Sequence, residues 1–173
     1  MTHTLILGGI RSGKSAHAEQ AALDSGRPVT YVATATAGDG EMAERIRAHR
    51  ARRSDDWGLV EEPRALGRVL REHVESAPCL LIDCTSLWLN NLLEAGDEVL
   101  ETEIADFRQA LAAYPGPVII VSNEVGLSTV AMDALTRRFT DRLGWLNQEL
   151  ARQCHRVLLI AAGLPLTLKD ETG

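Results

Sequence analysis

Apolar residues fall into short runs separated by longer amphipathic stretches. Runs at 3–8, 29–34, 79–83, 117–122 and 156–162 are rich in Leu, Ile and Val and are bounded by Gly, Pro or polar residues, as buried strands are. Helical spacing fills the intervals at 14–24, 39–53, 63–75, 85–113 with a break near Gly96, and 132–154. Strands alternating with helices predict an α/β fold with a mostly parallel sheet flanked by helices. The tail Leu164-Pro165-Leu166-Thr167-Leu168, entered through Gly163, predicts an antiparallel edge strand. Without a repeat, linker or low-complexity tract, residues 1–173 read as one domain. Open α/β sheets bind ligands beyond the carboxyl ends of their strands, so functional residues belong just past each apolar run.

Composition narrows the partners. The 173 residues are 45% hydrophobic and 24% charged, enough for one well-buried core. Only 4% are aromatic, so that core must be built from Ala, Leu, Val and Ile. A net charge of -6 argues against a general nucleic-acid or anionic-membrane binder. Cys79, Cys84 and Cys154 form no C-x-x-C pair and have no nearby His at zinc-ligand spacing, which suits reduced thiols and a cytoplasmic location. No apolar stretch approaches membrane-spanning length, and the first is too short for a signal peptide.

The first run leads straight into Gly8-Gly9-Ile10-Arg11-Ser12-Gly13-Lys14-Ser15, which meets the spacing of a phosphate-binding loop at every required position. Its glycines let backbone N–H groups turn toward a phosphate, Lys14 supplies a mobile cation and the Ser15 hydroxyl suits Mg²⁺. The helical stretch that follows directs its positive end at the anion. A strand before and a helix after make the fold P-loop NTPase-like.

Two other strand ends carry polar groups. The run Cys79-Leu80-Leu81-Ile82-Asp83 ends in a carboxylate, where a phosphate-loop enzyme places the acid that orients Mg²⁺ or its water. Asp83 is therefore the expected metal-side acid, with a helix N-cap as its alternative role. Ser122-Asn123-Glu124-Val125-Gly126 follows another strand and reads either as site lining or as a turn.

Arg45-Ile46-Arg47-Ala48-His49-Arg50-Ala51-Arg52-Arg53 is densely basic within an acidic chain. At helical spacing Arg45, His49, Arg52 and Arg53 fall near one face. Surrounding guanidinium groups disfavour a second positive charge on the imidazole, so His49 tends toward the neutral, nucleophilic form, while the arginines suit a phosphate under attack. The alternative is a solvated basic face balanced by Asp55, Asp56, Glu61 and Glu62. His3, His17, His73 and His155 lie in no such cluster and read as structural. Trp57, Trp88 and Trp145 are too scattered for a stacking platform.

Taken in order, the phosphate loop, Tyr31-Val32-Ala33-Thr34-Ala35, Glu41-Met42-Ala43-Glu44-Arg45-Ile46, His49 through Arg53, Trp57 with Glu61, Asp83-Cys84 and Ser122 through Gly126 resemble one family. It is that of the bifunctional adenosylcobinamide kinases and adenosylcobinamide-phosphate guanylyltransferases. Ser54 departs from the pattern, since the family commonly has proline there.

The resemblance implies two reactions in cobalamin biosynthesis. The first phosphorylates the aminopropanol hydroxyl of adenosylcobinamide, with ATP or GTP as donor. In the second, GMP passes from GTP to that phosphate and pyrophosphate is released. By resemblance, His49 carries the guanylyl group covalently. Nucleotide contacts carry over to Gly8, Gly9, Ile10, Arg11, Ser12, Gly13, Lys14 and Ser15, to Ala33, Thr34 and Ala35, to Arg50, Ala51, Arg52 and Arg53, and to Glu61 and Asp83. Lys14 joins His49 as a catalytic expectation, Ser15 and Asp83 are the expected Mg²⁺ side, and a homotrimer is the expected assembly.

Two rival readings remain at this level. A monofunctional small-molecule kinase would use His49 and its arginines only to bind phosphate. A GTP-dependent binding switch fits less well, because no Asn-Lys-x-Asp motif is present and Asp83 leads into Cys84-Thr85-Ser86 without a switch-loop glycine.

Overall fold

The computed structural model describes residues 2–35, 56–127 and 129–172. In chain order its elements are β1 (His3–Gly8), α1 (Lys14–Asp24), β2 (Val29–Ala33), β3 (Gly58–Glu61), α2 (Leu66–Glu72), β4 (Cys79–Asp83), α3 (Thr85–Ala95), α4 (Asp97–Ala113), β5 (Val118–Asn123), α5 (Ala134–Gln153), β6 (Arg156–Ala161) and β7 (Leu164–Asp170). The strands form a seven-stranded sheet in the order β3-β2-β4-β5-β1-β6-β7. Every pairing is parallel except β6 with β7. The expected parallel sheet, the antiparallel edge and the helix break at Gly96 are all present. The helix expected over 39–53 lies outside the described residues.

Side-chain alternation along the strands builds two cores. Leu5, Leu7, Val32, Leu80, Ile82, Val118 and Ile120 point to the face packed by α2, α3, α4 and α5. There Trp88 and Phe107 are fully buried and meet edge-to-face, with ring centroids 5.2 Å apart. The opposite residues, Ile6, Tyr31, Leu81, Ile119 and Val121 among them, form the face against α1, whose Ala18 and Ala22 are fully buried. Small side chains there let the helix backbone approach the sheet closely.

β3 is the element that the apolar pattern does not announce. Leu59 and Glu61 are exposed and Val60 is only half-buried, so no apolar run marks the strand. It forms by pairing with β2 from Thr30↔Gly58 to Ala33↔Glu61, as an outer strand does when ladder bonds outweigh side-chain burial.

Candidate active site

Gly8 ends β1 and Lys14 begins α1, so the phosphate loop is the strand-to-helix connection itself. Its shape depends on two glycines. A Cβ on Gly8 would lie 2.4 Å from Ser12 Oγ and 2.7 Å from the Ile160 carbonyl oxygen. Gly13 caps the helix at φ 97, a left-handed conformation that L side chains rarely adopt. Ser12 N donates to Gly9 O at 3.3 Å and closes the turn, while Ser12 Oγ is buried without a hydrogen-bond partner. Gly9, Ile10 and Arg11 stand exposed at the rim.

The loop is braced from β6–β7. Gly163 N donates to Ser12 O at 2.9 Å, and Gly163 O receives a 2.9 Å bond from His17 on the first turn of α1. Sequence spacing could not have disclosed this brace, because it joins positions 146 residues apart.

Lys14 Nζ lies 3.0 Å from Gly9 O. Burial pushes its pKa below the ordinary lysine value, while neighbouring Cys84 and Asp83 act in the opposite direction. Next to it, Ser15 Oγ donates to Asp83 Oδ2 at 3.3 Å. Tyr31, two residues before the end of β2, donates its hydroxyl to the same carboxylate oxygen at 3.1 Å. Asp83 thus sits at the end of β4 on the α1 face of the sheet. It is not a helix cap: Cys84 occupies the N-cap of α3, where no side-chain capping bond is made, and its thiol pairs with Ser86 Oγ at 3.1 Å. The Cys84 thiol is pushed above its ordinary pKa, chiefly by burial and also by Asp83 beside it.

The end of β2 is fixed by a separate polar set. Thr34 is fully buried, accepting from Cys84 N at 2.9 Å and donating to Cys84 O at 2.8 Å. Asn91 on α3 donates to Thr34 O at 2.9 Å and to Pro63 O at 3.0 Å. Thr34 therefore shapes the strand end through its side chain, whereas Ala33 and Ala35 are only half-buried. Glu61 pairs with Ala33 in register and is exposed. The next residue, Glu62, accepts from Arg64 N at 2.9 Å and Ala65 N at 2.8 Å and pairs with Arg68. Those bonds hold its carboxyl below the usual pKa against the opposing effect of burial.

β5 lies between β4 and β1, which puts its end between Asp83 and the phosphate loop. Asn123 is level with Gly8, and Glu124 N donates to Gly8 O at 3.0 Å. The Glu124 carboxylate then accepts from Gly126 N at 2.5 Å and Leu127 N at 3.2 Å. Both readings of this segment hold together: it is a capped turn, and it borders the site.

The structure thus brings together Gly8 through Ser15, Asp83 and the β5 end, with Ala33, Thr34, Ala35 and Glu61 on the neighbouring strands. His49, Arg50, Ala51, Arg52 and Arg53 lie outside the described residues. The remaining histidines have structural partners: His3 bonds Leu111 O at 3.0 Å, His73 bonds Val69 O at 2.8 Å, and His155 accepts from His3 N at 3.2 Å. Sequence reasoning missed Tyr31 as a partner of Asp83, Asn91 and the Gly163 brace. All three are products of sheet order rather than of local spacing.

Known proteins extend this picture. Residues 4–168 match the family described as CobU, cobinamide kinase / cobinamide phosphate guanyltransferase. A Pseudomonas aeruginosa protein named bifunctional adenosylcobalamin biosynthesis protein CobP is 51% identical, covering 96% of this chain and 97% of its own length. The Escherichia coli bifunctional adenosylcobalamin biosynthesis protein CobU is 34% identical, with 95% and 98% covered. Among solved structures, the RadB recombinase superposes with a TM-score of 0.51 at 18% identity, covering 91% of this chain and 73% of that one. A Pyrococcus horikoshii OT3 protein gives 0.56 at 12% identity, with 98% and 86% covered. These two likenesses establish the fold alone.

Proposed function

Because this chain belongs to the cobinamide kinase / cobinamide phosphate guanyltransferase family, we propose that it runs both reactions on one phosphate loop, with His49 as the guanylyl carrier. The observation that carries the shared site is Ser15 Oγ standing 3.3 Å from Asp83 Oδ2 beside Lys14.

In the kinase step the aminopropanol hydroxyl of adenosylcobinamide attacks the γ-phosphorus of ATP or GTP, and the bond to the β-phosphate oxygen breaks. Such transfers need positioning and charge neutralisation more than covalent help from the protein. Lys14 and the loop amides hold the phosphates, and Gly8 and Gly13 keep those amides turned inward. Among the described residues no cluster of three or more His, Cys, Asp or Glu could cage a metal ion. Ser15 and Asp83 supply hard oxygen groups, which fits Mg²⁺ bound largely through substrate phosphates and water. When bound, Mg²⁺ offsets negative charge on the transferring phosphoryl group.

In the transferase step a neutral His49 nitrogen attacks the α-phosphorus of GTP. A P–N bond forms as the P–O bond to pyrophosphate breaks. A phosphate oxygen of adenosylcobinamide phosphate then displaces His49, regenerating the imidazole and leaving adenosylcobinamide-GDP. Arg50, Arg52 and Arg53 neutralise the phosphates during both displacements, with Ala51 beside them. Ala33, Thr34, Ala35 and Glu61 border the nucleotide from β2 and β3.

We place the enzyme in the cytoplasm as a homotrimer. Support for the first is three buried free cysteines and the absence, among the described residues, of a helix long and apolar enough to cross a membrane. Support for self-association is the exposure of Leu164, Leu166 and Leu168 on edge strand β7.

The direct test supplies purified protein with adenosylcobinamide, Mg²⁺, and ATP or GTP. Adenosylcobinamide phosphate should form first, and with GTP present pyrophosphate release beyond the one equivalent that accompanies guanylylation of His49 should follow its appearance. Repeated turnover to pyrophosphate without a phosphorylated corrinoid product would contradict the two-step order.

A further inference from the structure

Nothing described so far holds the acceptor, whose corrin macrocycle is larger and less polar than the phosphates the loop accommodates. Among the described residues most large exposed apolar side chains fall into two groups. Three lie along β7, and five lie either just past β1 or in the chain that runs from the end of β5 into the first turn of α5: Ile10 at 78% exposure, Leu127 at 84%, Val130 at 82%, Met132 at 95% and Leu135 at 71%. Ile10 lies two residues past Gly8 and Leu127 four past Asn123, and Gly8 and Asn123 are paired in register. The two side chains therefore leave from adjacent strand ends at the rim of the phosphate loop.

Polar groups hold this apolar segment in place. Glu124 caps Gly126 and Leu127 at its start, and its own N–H ties it to Gly8. At its far end Arg137 donates to Ala131 O at 3.0 Å and to Met132 O at 2.5 Å. Asp133 accepts from Thr136 N at 2.8 Å as the N-cap of α5. At the root of the segment Asn147 accepts from Ser122 Oγ at 2.7 Å and donates to Asn123 O at 3.1 Å. A backbone anchored at both ends keeps large apolar groups in water, where they gain nothing until a ligand covers them.

We infer that Ile10, Leu127, Val130, Met132 and Leu135 form the acceptor-binding lip of the enzyme, against which the apolar face of the corrin macrocycle packs while its aminopropanol arm reaches the phosphate loop. This inference rests on the two-reaction function proposed above. Continuity with the phosphate loop favours the macrocycle as occupant. The hydroxyl must reach the γ-phosphate, so the ring bearing it must rest on the rim, and on the β5 side Ile10 and Leu127 present exposed apolar side chains there. A flexible Met at the most exposed position suits a broad, irregular ring.

The test uses the full chain carrying Leu127→Ser, Met132→Ser or both, and adenosylcobinamide as the probe. Each position is exposed in the free protein, so melting temperature should stay at the wild-type value. Equilibrium binding of adenosylcobinamide should weaken about fivefold to tenfold for each substitution, the scale of losing about half of one apolar side chain's burial. KM for the corrinoid should rise with it, while Mg·GTP affinity stays unchanged. Met132→Leu should restore corrinoid binding. Unchanged corrinoid affinity in the double variant would overturn the lip. Loss of assembly on sedimentation, with corrinoid affinity intact, would overturn it in favour of a second copy as occupant. Wild-type protein that binds adenosylcobinamide without phosphorylating it would instead defeat the proposed function, and the variants would still test the lip.

Discussion

Ser15 Oγ and Asp83 Oδ2 meet at 3.3 Å across 68 positions of sequence, joining the first turn of α1 to the end of β4. Tyr31 donates to the same oxygen at 3.1 Å. Asp83 is thus held beside the phosphate loop by two hydroxyl donors from different elements. Its second oxygen receives neither of these bonds.

Asp83→Asn preserves shape and removes the charge. It should leave the melting temperature within a few degrees of wild type and lower Mg²⁺-dependent turnover about 10- to 100-fold, the range typical when a group orienting a metal site is altered. Steady-state rates across a Mg²⁺ titration check this. An unchanged Mg²⁺ dependence would leave Asp83 with only its bonds to Ser15 and Tyr31.

Lys14→Ala should impair both reactions, on the order of 10²-fold or more in kcat, because each depends on one anchored triphosphate. Parallel assays of kinase turnover and pyrophosphate release give the answer. Loss of one activity with the other intact would separate the two sites.

Gly8→Ala brings a methyl group to 2.4 Å from Ser12 Oγ and 2.7 Å from a backbone oxygen of β6. The side chain can rotate away, but the Ile160 carbonyl is fixed in the sheet ladder. A loss of about 1–3 kcal/mol in stability, together with weaker nucleotide binding, is expected. Denaturant titration and Mg·GTP binding measure the two effects.

His3 gives the fold a pH dependence. Burial, with His155 second, lowers its pKa to about 4 from the ordinary 6.5. Between those values the unfolded chain binds a proton that the folded protein refuses, so stability falls as pH drops from 6.5 toward 4 and this contribution levels off below. The full difference is roughly 3 kcal/mol at most. Urea titrations at pH 7 and pH 4.5 should show that loss in wild type, and His3→Gln should have a shallower slope.

The sequence disclosed the phosphate loop, the strand ending at Asp83 and the return of β7, because each is written in local order. Buried parallel strands such as Leu80-Leu81-Ile82 must be apolar on both faces, which leaves an unbroken run. β3 escaped because Gly58-Leu59-Val60-Glu61 is mostly exposed and is held chiefly by its ladder with β2. The Tyr31 contact with Asp83 spans 52 positions, and the His17 contact with Gly163 spans 146. Such pairs follow from strand order, which no single segment encodes. Asp83 also looked able to cap the following helix, but one further residue of extended chain puts Cys84 there and frees the carboxylate for Ser15.

The central claim is that one nucleotide site serves both reactions and that His49 divides them. Wild-type protein incubated with GTP radiolabelled at the α-phosphate should retain label after denaturation, through a bond that acid hydrolyses, as a P–N linkage requires. His49→Ala should retain none and should lose GMP transfer, while still phosphorylating adenosylcobinamide through Lys14, Ser15 and Asp83. Labelling of His49→Ala at the wild-type level would contradict the account.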